Sequence, residues 1–237
     1  MPEDGALCIR FRLSVMPMGC HDNHEAGVSF TLDESRERGQ SMKAIAPEDI
    51  IPHQEYERQR EAFRAKIIAL KQRRRMSVGP CMTMVFENHD TVQFQIQEMI
   101  RVERIFDPVK VQDELDVYNA LLPAPGELSA TLLIEITQDA MIKERLDQFM
   151  GLDHGEKVAI VAGGEEVFGE FEGGRSHETK ISAVHFVKFR PTASMTKTFA
   201  DLSQPVTIRV DHGDYREEAP VSGTMREEWL ADVRGGA

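Results

Sequence analysis

Apolar and polar positions along the chain change period several times, and each change marks an element. Met82, Met84 and Phe86 alternate with Thr83, Val85 and Glu87, the period-two pattern of a strand. Asn88 and Asp90 follow, with side-chain oxygens suited to cap the free N–H groups of a helix. Val92, Ile96, Met99 and Ile100 then recur at helical spacing, with Glu103 next on the same stripe. Gln95 and Glu98 occupy one flank of that helix, and Gln97, Arg101 and Arg104 the other. A carboxylate on an apolar stripe costs several kcal/mol if buried unpaired. Glu103 therefore leans into water at the helix end, pairs with an arginine, or meets polar groups from elsewhere in the chain.

Other stretches sort in the same way. Tyr56, Phe63, Ile67 and Leu70 share one face of a helix over residues 54–75, with Glu55 and Glu57 near its start. Lys71, Arg73, Arg74 and Arg75 stand at its end, the polarity a helix dipole favours, and read as a solvated terminus. Val109, Val111, Leu115, Val117 and Leu121 fit a shorter helix that stops before Pro123 and Pro125. Residues 129–136 alternate as a strand, and Thr137, Gln138 and Asp139 cap a helix running to Met150. A short strand at 158–161 leads through Gly163-Gly164 toward Val167, Phe168 and Phe171, with a loop at Gly173-Gly174-Arg175-Ser176. Residues 181–189 are apolar on both faces and read as an interior strand, with Ile181, Ala183, His185, Val187 and Phe189 on one side. A short helix to Phe199, a strand carrying Val206, Ile208, Val210 and His212, and a final amphipathic segment at 225–233 with the sole tryptophan, Trp229, complete the chain. The expected fold is α+β: residues 42–237 form a single domain with a mixed or antiparallel sheet flanked by helices.

Residues 1–41 hold no lysine and little periodicity. They read as a disordered arm, or as an extension ahead of a natural start at Met42. Cys20, His21 and His24 lie there, a cluster without a fourth metal partner.

Composition narrows the function. With 237 residues, 41% hydrophobic and 29% charged, the chain can bury a sizeable core. A net charge of -12 repels phosphate backbones, so nucleic-acid and anionic-membrane binding are not expected. No apolar run approaches a bilayer span, and no secretory signal opens the sequence. Cys8, Cys20 and Cys81 form no CxxC pair, which suits a reducing, cytoplasmic setting. Phosphate-loop, dinucleotide-binding and Gly-x-Ser-x-Gly patterns are missing.

Two histidines, His185 and His212, fall on apolar strand faces, where most such residues are neutral and satisfied by main chain. If their strands share one sheet, both imidazoles reach a pocket beside the helix that carries Glu98 and Glu103. Two imidazoles with carboxylates would form an iron or zinc set. The same residues admit an enzyme reading, with Glu98, Glu103 and His185 as acid/base groups. A third reading is a structural module that binds a partner through an apolar patch.

Several segments carry a family resemblance: PEDI at 47–50, EYERQR at 55–60, RRRMSVGP ending at Pro80, FENHDTVQFQIQEM at 86–99, SAVHFVKF at 182–189 and DHGDYR at 211–216. From about Met42 onward the chain resembles a mainly bacterial family known as domain of unknown function 3501. The resemblance attaches no catalytic role to the matching positions Glu87, Asn88, Thr91, Gln95, Gln97, Glu98 and His185. It implies the company of rubrerythrin-like iron proteins or iron–sulfur oxidoreductases, hence an accessory role in a redox or iron-handling system.

Overall fold

A computed structural model describes residues 43–136, 142–173 and 181–235. The N-terminal arm, the cluster of Cys20, His21 and His24, the cap at 137–139 and most of the loop after Gly173 lie outside the described residues. The expected α+β fold is borne out: six α-helices accompany two antiparallel sheets among the described residues. The first sheet has five strands in the order β1 (Arg75–Val78), β2 (Met82–Glu87), β3 (Leu128–Ile134), β7 (Val184–Phe189) and β6 (Glu170–Phe171). The second has four, in the order β5 (Glu165–Phe168), β4 (Val158–Ala162), β8 (Val206–His212) and β9 (Tyr215–Pro220).

Strand parity decides what each face of the first sheet meets. Met82, Met84, Phe86, Ala130, Leu132, Val187 and Phe189 point toward the second sheet and join Val158, Ile160, Val206, Ile208 and Val210 in one core. Helices α5 (Ala193–Ala200) and α6 (Gly223–Val233) close that core with Phe199 and Trp229, whose ring lies 4.6 Å from Phe86. Leu133, Val184 and Phe186 point the other way, into a smaller core under α2 (His89–Glu103) and α3 (Pro108–Asn119). There they meet Val92, Ile96, Met99, Ile100, Leu115 and Tyr118. Helix α1 (His53–Arg74) packs beside α2 and against α6. A short helix α4 (Ile142–Asp147) precedes β4.

The chain crosses between the sheets at Gly169, between β5 and β6. A Cβ there would sit 2.3 Å from Val187 Cγ1, so only glycine lets the crossing lie on β7. Gly163 and Gly164, with φ of +60° and +79°, make the tight β4–β5 turn where a left-handed backbone is required.

Two expectations are corrected here. The strands of His185 and His212 belong to different sheets, β7 and β8. The basic run at the end of α1 is not wholly solvated, because Arg74 is fully buried. Its guanidinium donates to the main-chain oxygens of Phe86 (2.7 Å) and Glu87 (3.3 Å), to Glu228 (3.0 Å) and to Asp232. The helix runs straight into β1, which turns that arginine beneath α6 rather than into water.

Candidate functional site

The FENHDTVQFQIQEM segment begins as β2 and becomes α2, and its polar residues first serve that transition. Asn88 is the N-cap: its side chain accepts from Thr91 N (3.0 Å), while Asn88 N donates to Thr91 Oγ1 (2.9 Å). Glu87, last in β2, points toward α2 and is buried. Its carboxylate accepts from the hydroxyls of Thr91 (2.6 Å) and Thr131 (2.7 Å) and from Gln95 Nε2 (3.2 Å). Gln97 clamps the main chain of Ile51 in both directions at 2.9 Å, tying the segment before α1 onto α2.

Glu98 sits between α1 and α2. Its oxygens accept from Tyr56 OH (2.7 Å), from Arg60 Nε (2.7 Å) and a terminal Arg60 nitrogen (2.8 Å), and more distantly from Arg101. Burial pushes this carboxyl up, but the Arg60 and Tyr56 hydrogen bonds and the charge of Arg101 outweigh it and hold the carboxyl below its ordinary value. The Tyr56 hydroxyl is pushed well above its usual range, by burial first and then by the adjacent carboxylate.

The four residues proposed from sequence as one site are not assembled. His185 shares the face of β7 that meets the second sheet, opposite the α2 side. Its Nε2 lies 2.8 Å from Ser182 O and its ring stands edge-on to Phe171. His212 ends β8, with Nε2 at 3.2 Å from Gln148 O and its ring stacked on Phe149. Glu103 is the exposed last residue of α2. Among the described residues no group of three or more His, Cys, Asp or Glu is placed to hold a metal ion. The iron or zinc set is therefore corrected: alternation along β7 and membership of two sheets send its members in different directions.

The helix-covered face of the first sheet brings together a polar row that sequence reading left unnoticed. Glu87, Ser129, Lys188 and Glu170 are successive cross-strand neighbours on β2, β3, β7 and β6. Glu127, just before β3, is buried; it pairs with Arg190 at 2.7 Å and Lys188 at 3.6 Å and accepts from Ala124 N at 2.9 Å. Over the row opens a cavity of about 280 Å³. Its floor is Ser129, Phe186 and Lys188, one wall is Ala120 and Leu121 after α3, and the other is the edge residues Glu170, Phe171 and Glu172. The available signal was Lys188 itself, the one cation on the Val184, Phe186, Lys188 side of an otherwise apolar strand.

A crystal structure of a novel protein of unknown function from Burkholderia pseudomallei is similar to this chain, with 28% identity and a TM-score of 0.74. The match covers 81% of this chain and all of that one. No curated protein matches the chain. The family described as Protein of unknown function (DUF3501) matches residues 44–233, and the chain belongs to that family.

Proposed function

We propose that the protein works by binding rather than by acid–base chemistry of its own, as a cytoplasmic accessory protein of a redox or iron-handling system. What supports the first half is the saturation of the motif's carboxylates. A general acid or base must exchange its proton with a substrate it touches. Glu98 instead spends its oxygens on Tyr56, Arg60 and Arg101, and Glu87 spends its own on two threonines and a glutamine. The enzyme reading through Glu98, Glu103 and His185 would need these three to converge, and α2 and His185 lie on opposite faces of the sheet.

The second half rests on the family resemblance, with a rubrerythrin-like iron protein or an iron–sulfur oxidoreductase as the partner. The corner between α2 and α3 supports a docking role: Val102, Phe106 and Val109 are 40%, 65% and 68% exposed within eight consecutive residues. Capture of a purified rubrerythrin-like protein by the full chain tests the reading. Capture lost in Phe106→Ser with Val109→Ser, and retained after chelator treatment, is the expected result. No capture of either partner class would sink it. A stoichiometric metal that stays bound through His185→Ala and His212→Ala would show a ligand set other than the one read from sequence.

A further inference from the structure

We propose that the cavity above Ser129 and Lys188 binds a small monocarboxylate with an apolar body, its carboxylate seated on these two side chains. The argument begins with donors that lack acceptors. Ser129 is 2% exposed and lines the floor, yet its hydroxyl has no hydrogen-bond partner among the described residues. Buried hydroxyls are ordinarily satisfied, so one that opens onto a cavity calls for an acceptor there. Lys188, the register partner of Ser129 on the adjacent strand, lines the same floor. Its ammonium meets Glu127 Oε2 only at 3.6 Å, beyond hydrogen-bond reach. That oxygen already accepts from Ala124 N at 2.9 Å, and Glu127 Oε1 lies 2.7 Å from Arg190. The chain thus gives the floor a hydroxyl and an ammonium but no acceptor bonded to either. A carboxylate is acceptor-only and suits that pair, with charge-assisted hydrogen bonds from the lysine. The acids at the rim do not take that role: Glu170 is held by Arg190 at 2.5 Å, and Glu172 is engaged as well.

Shape agrees with this chemistry. Phe186 and Leu121 supply apolar surface beside the polar floor. A volume of about 280 Å³ holds roughly nine waters at ~30 Å³ each, the scale of a short aliphatic or arylalkyl acid rather than a nucleotide. The proposal is independent of the docking role, because the cavity lies over the sheet and beside β6, whereas the exposed corner joins α2 to α3.

Calorimetric titration of the full chain with 4-methylpentanoate and with 3-phenylpropionate tests the proposal, with 3-phenylpropanamide as the neutral isostere. The expected result is saturable one-site binding of at least one acid, with the amide weaker by roughly tenfold or more. Lys188→Met keeps the alkyl stem and removes the charge, and should weaken binding of the acid roughly 10- to 100-fold. It should also erase the preference for acid over amide, which a general loosening of the fold would not do selectively. If Lys188→Met fails to fold, Ser129→Ala takes its place, with a loss of roughly tenfold expected. Absence of saturable binding at millimolar acid overturns the proposal. So does binding that Lys188→Met, or Ser129→Ala in its place, leaves unchanged, or an amide that binds as well as the acid.

Discussion

The two faces of the five-stranded sheet are built from alternate residues of the same strands, yet they differ in kind. The face toward the second sheet is dry, with Met82, Met84, Phe86, Leu132, Val187 and Phe189 closed over by Phe199 and Trp229. The face toward α2 and α3 is laced with polar groups: Glu87, Thr131, Ser129 and Lys188 lie among Leu133, Val184 and Phe186. Each side also has a buried carboxylate between helices that is paired with arginine. On the helix side Glu98 meets two arginines and a tyrosine and is held low. On the dry side Asp232 of α6 has Arg74 as its cation, and Arg74 is shared with Glu228. Burial there wins over the Arg74 charge and hydrogen bond, with repulsion from Glu228 adding to it, and the carboxyl is pushed up to about 6. An arginine neighbour thus does not by itself fix a carboxylate's state; the number of donors set against burial and rival acids does.

The largest effect should come from the dry face. Trp229→Ala leaves a cavity beside Phe86 and Phe199 that neither sheet can close, and should cost about 3–5 kcal/mol in urea unfolding. A loss under about 1 kcal/mol would show that α6 is not part of the cooperative core.

Next in size is an opposition in pH dependence. Asp232 has a folded-state value above its unfolded one of about 3.9, so its contribution is fully present below that and is lost as pH rises through about 6. Asp232→Asn should remove this slope, gaining up to about 2–3 kcal/mol relative to the parent between pH 4 and 7. Glu98 behaves in the reverse sense: its contribution is present above the unfolded carboxylate value and disappears as pH falls through its lower folded value. Glu98→Gln should therefore converge with the parent in acid. Parallel slopes for the two variants would erase the distinction between the faces.

Smaller again is the lacing itself. Thr131→Val takes one hydroxyl donor from buried Glu87 while keeping the side chain's shape, and should cost about 1–2 kcal/mol. Met84→Leu, a volume-conserving exchange on the opposite face, should cost less than ~1.5 kcal/mol. Chemical denaturation of both variants in one buffer compares polar satisfaction with apolar packing.

How much of this the sequence disclosed depends on whether the determinant was local. β2, the Asn88 cap and α2 were legible because alternation, capping oxygens and the Val92, Ile96, Met99, Ile100 stripe all lie within one stretch. β9 was not, because Tyr215–Pro220 alternates between exposed and half-buried positions with almost no aliphatic residues. β1 was hidden by brevity, four residues between a long helix and Gly79-Pro80. The site failed for a different reason. Parity placed His185 correctly with Val187 and Phe189, but which layer covers that face is set by pairings such as β3 with β7, more than 50 residues apart. The same non-local pairing aligned Glu87, Ser129 and Lys188, which no spacing in the sequence announces.

The smallest predicted effect falls on α3, where only some of the apolar residues that mark the helix face inward. Of the residues that mark this helix in the sequence, Val109 and Val117 are 68% and 50% exposed, while Leu115 is buried, as is Tyr118. Asp107 caps the helix from outside and Pro108 fixes its first turn, so the helix enters with Val109 toward solvent. Val111, Leu115 and Tyr118 then turn onto α2 and the sheet at spacings of four and three. Val117→Ser should change stability by no more than about 0.5 kcal/mol, since little apolar area leaves or enters water. Leu115→Ala, two residues away, should cost about 2–5 kcal/mol. Equal losses at the two positions would mean that α3 is rotated, and that the wall of the cavity formed by Ala120 and Leu121 is rotated with it.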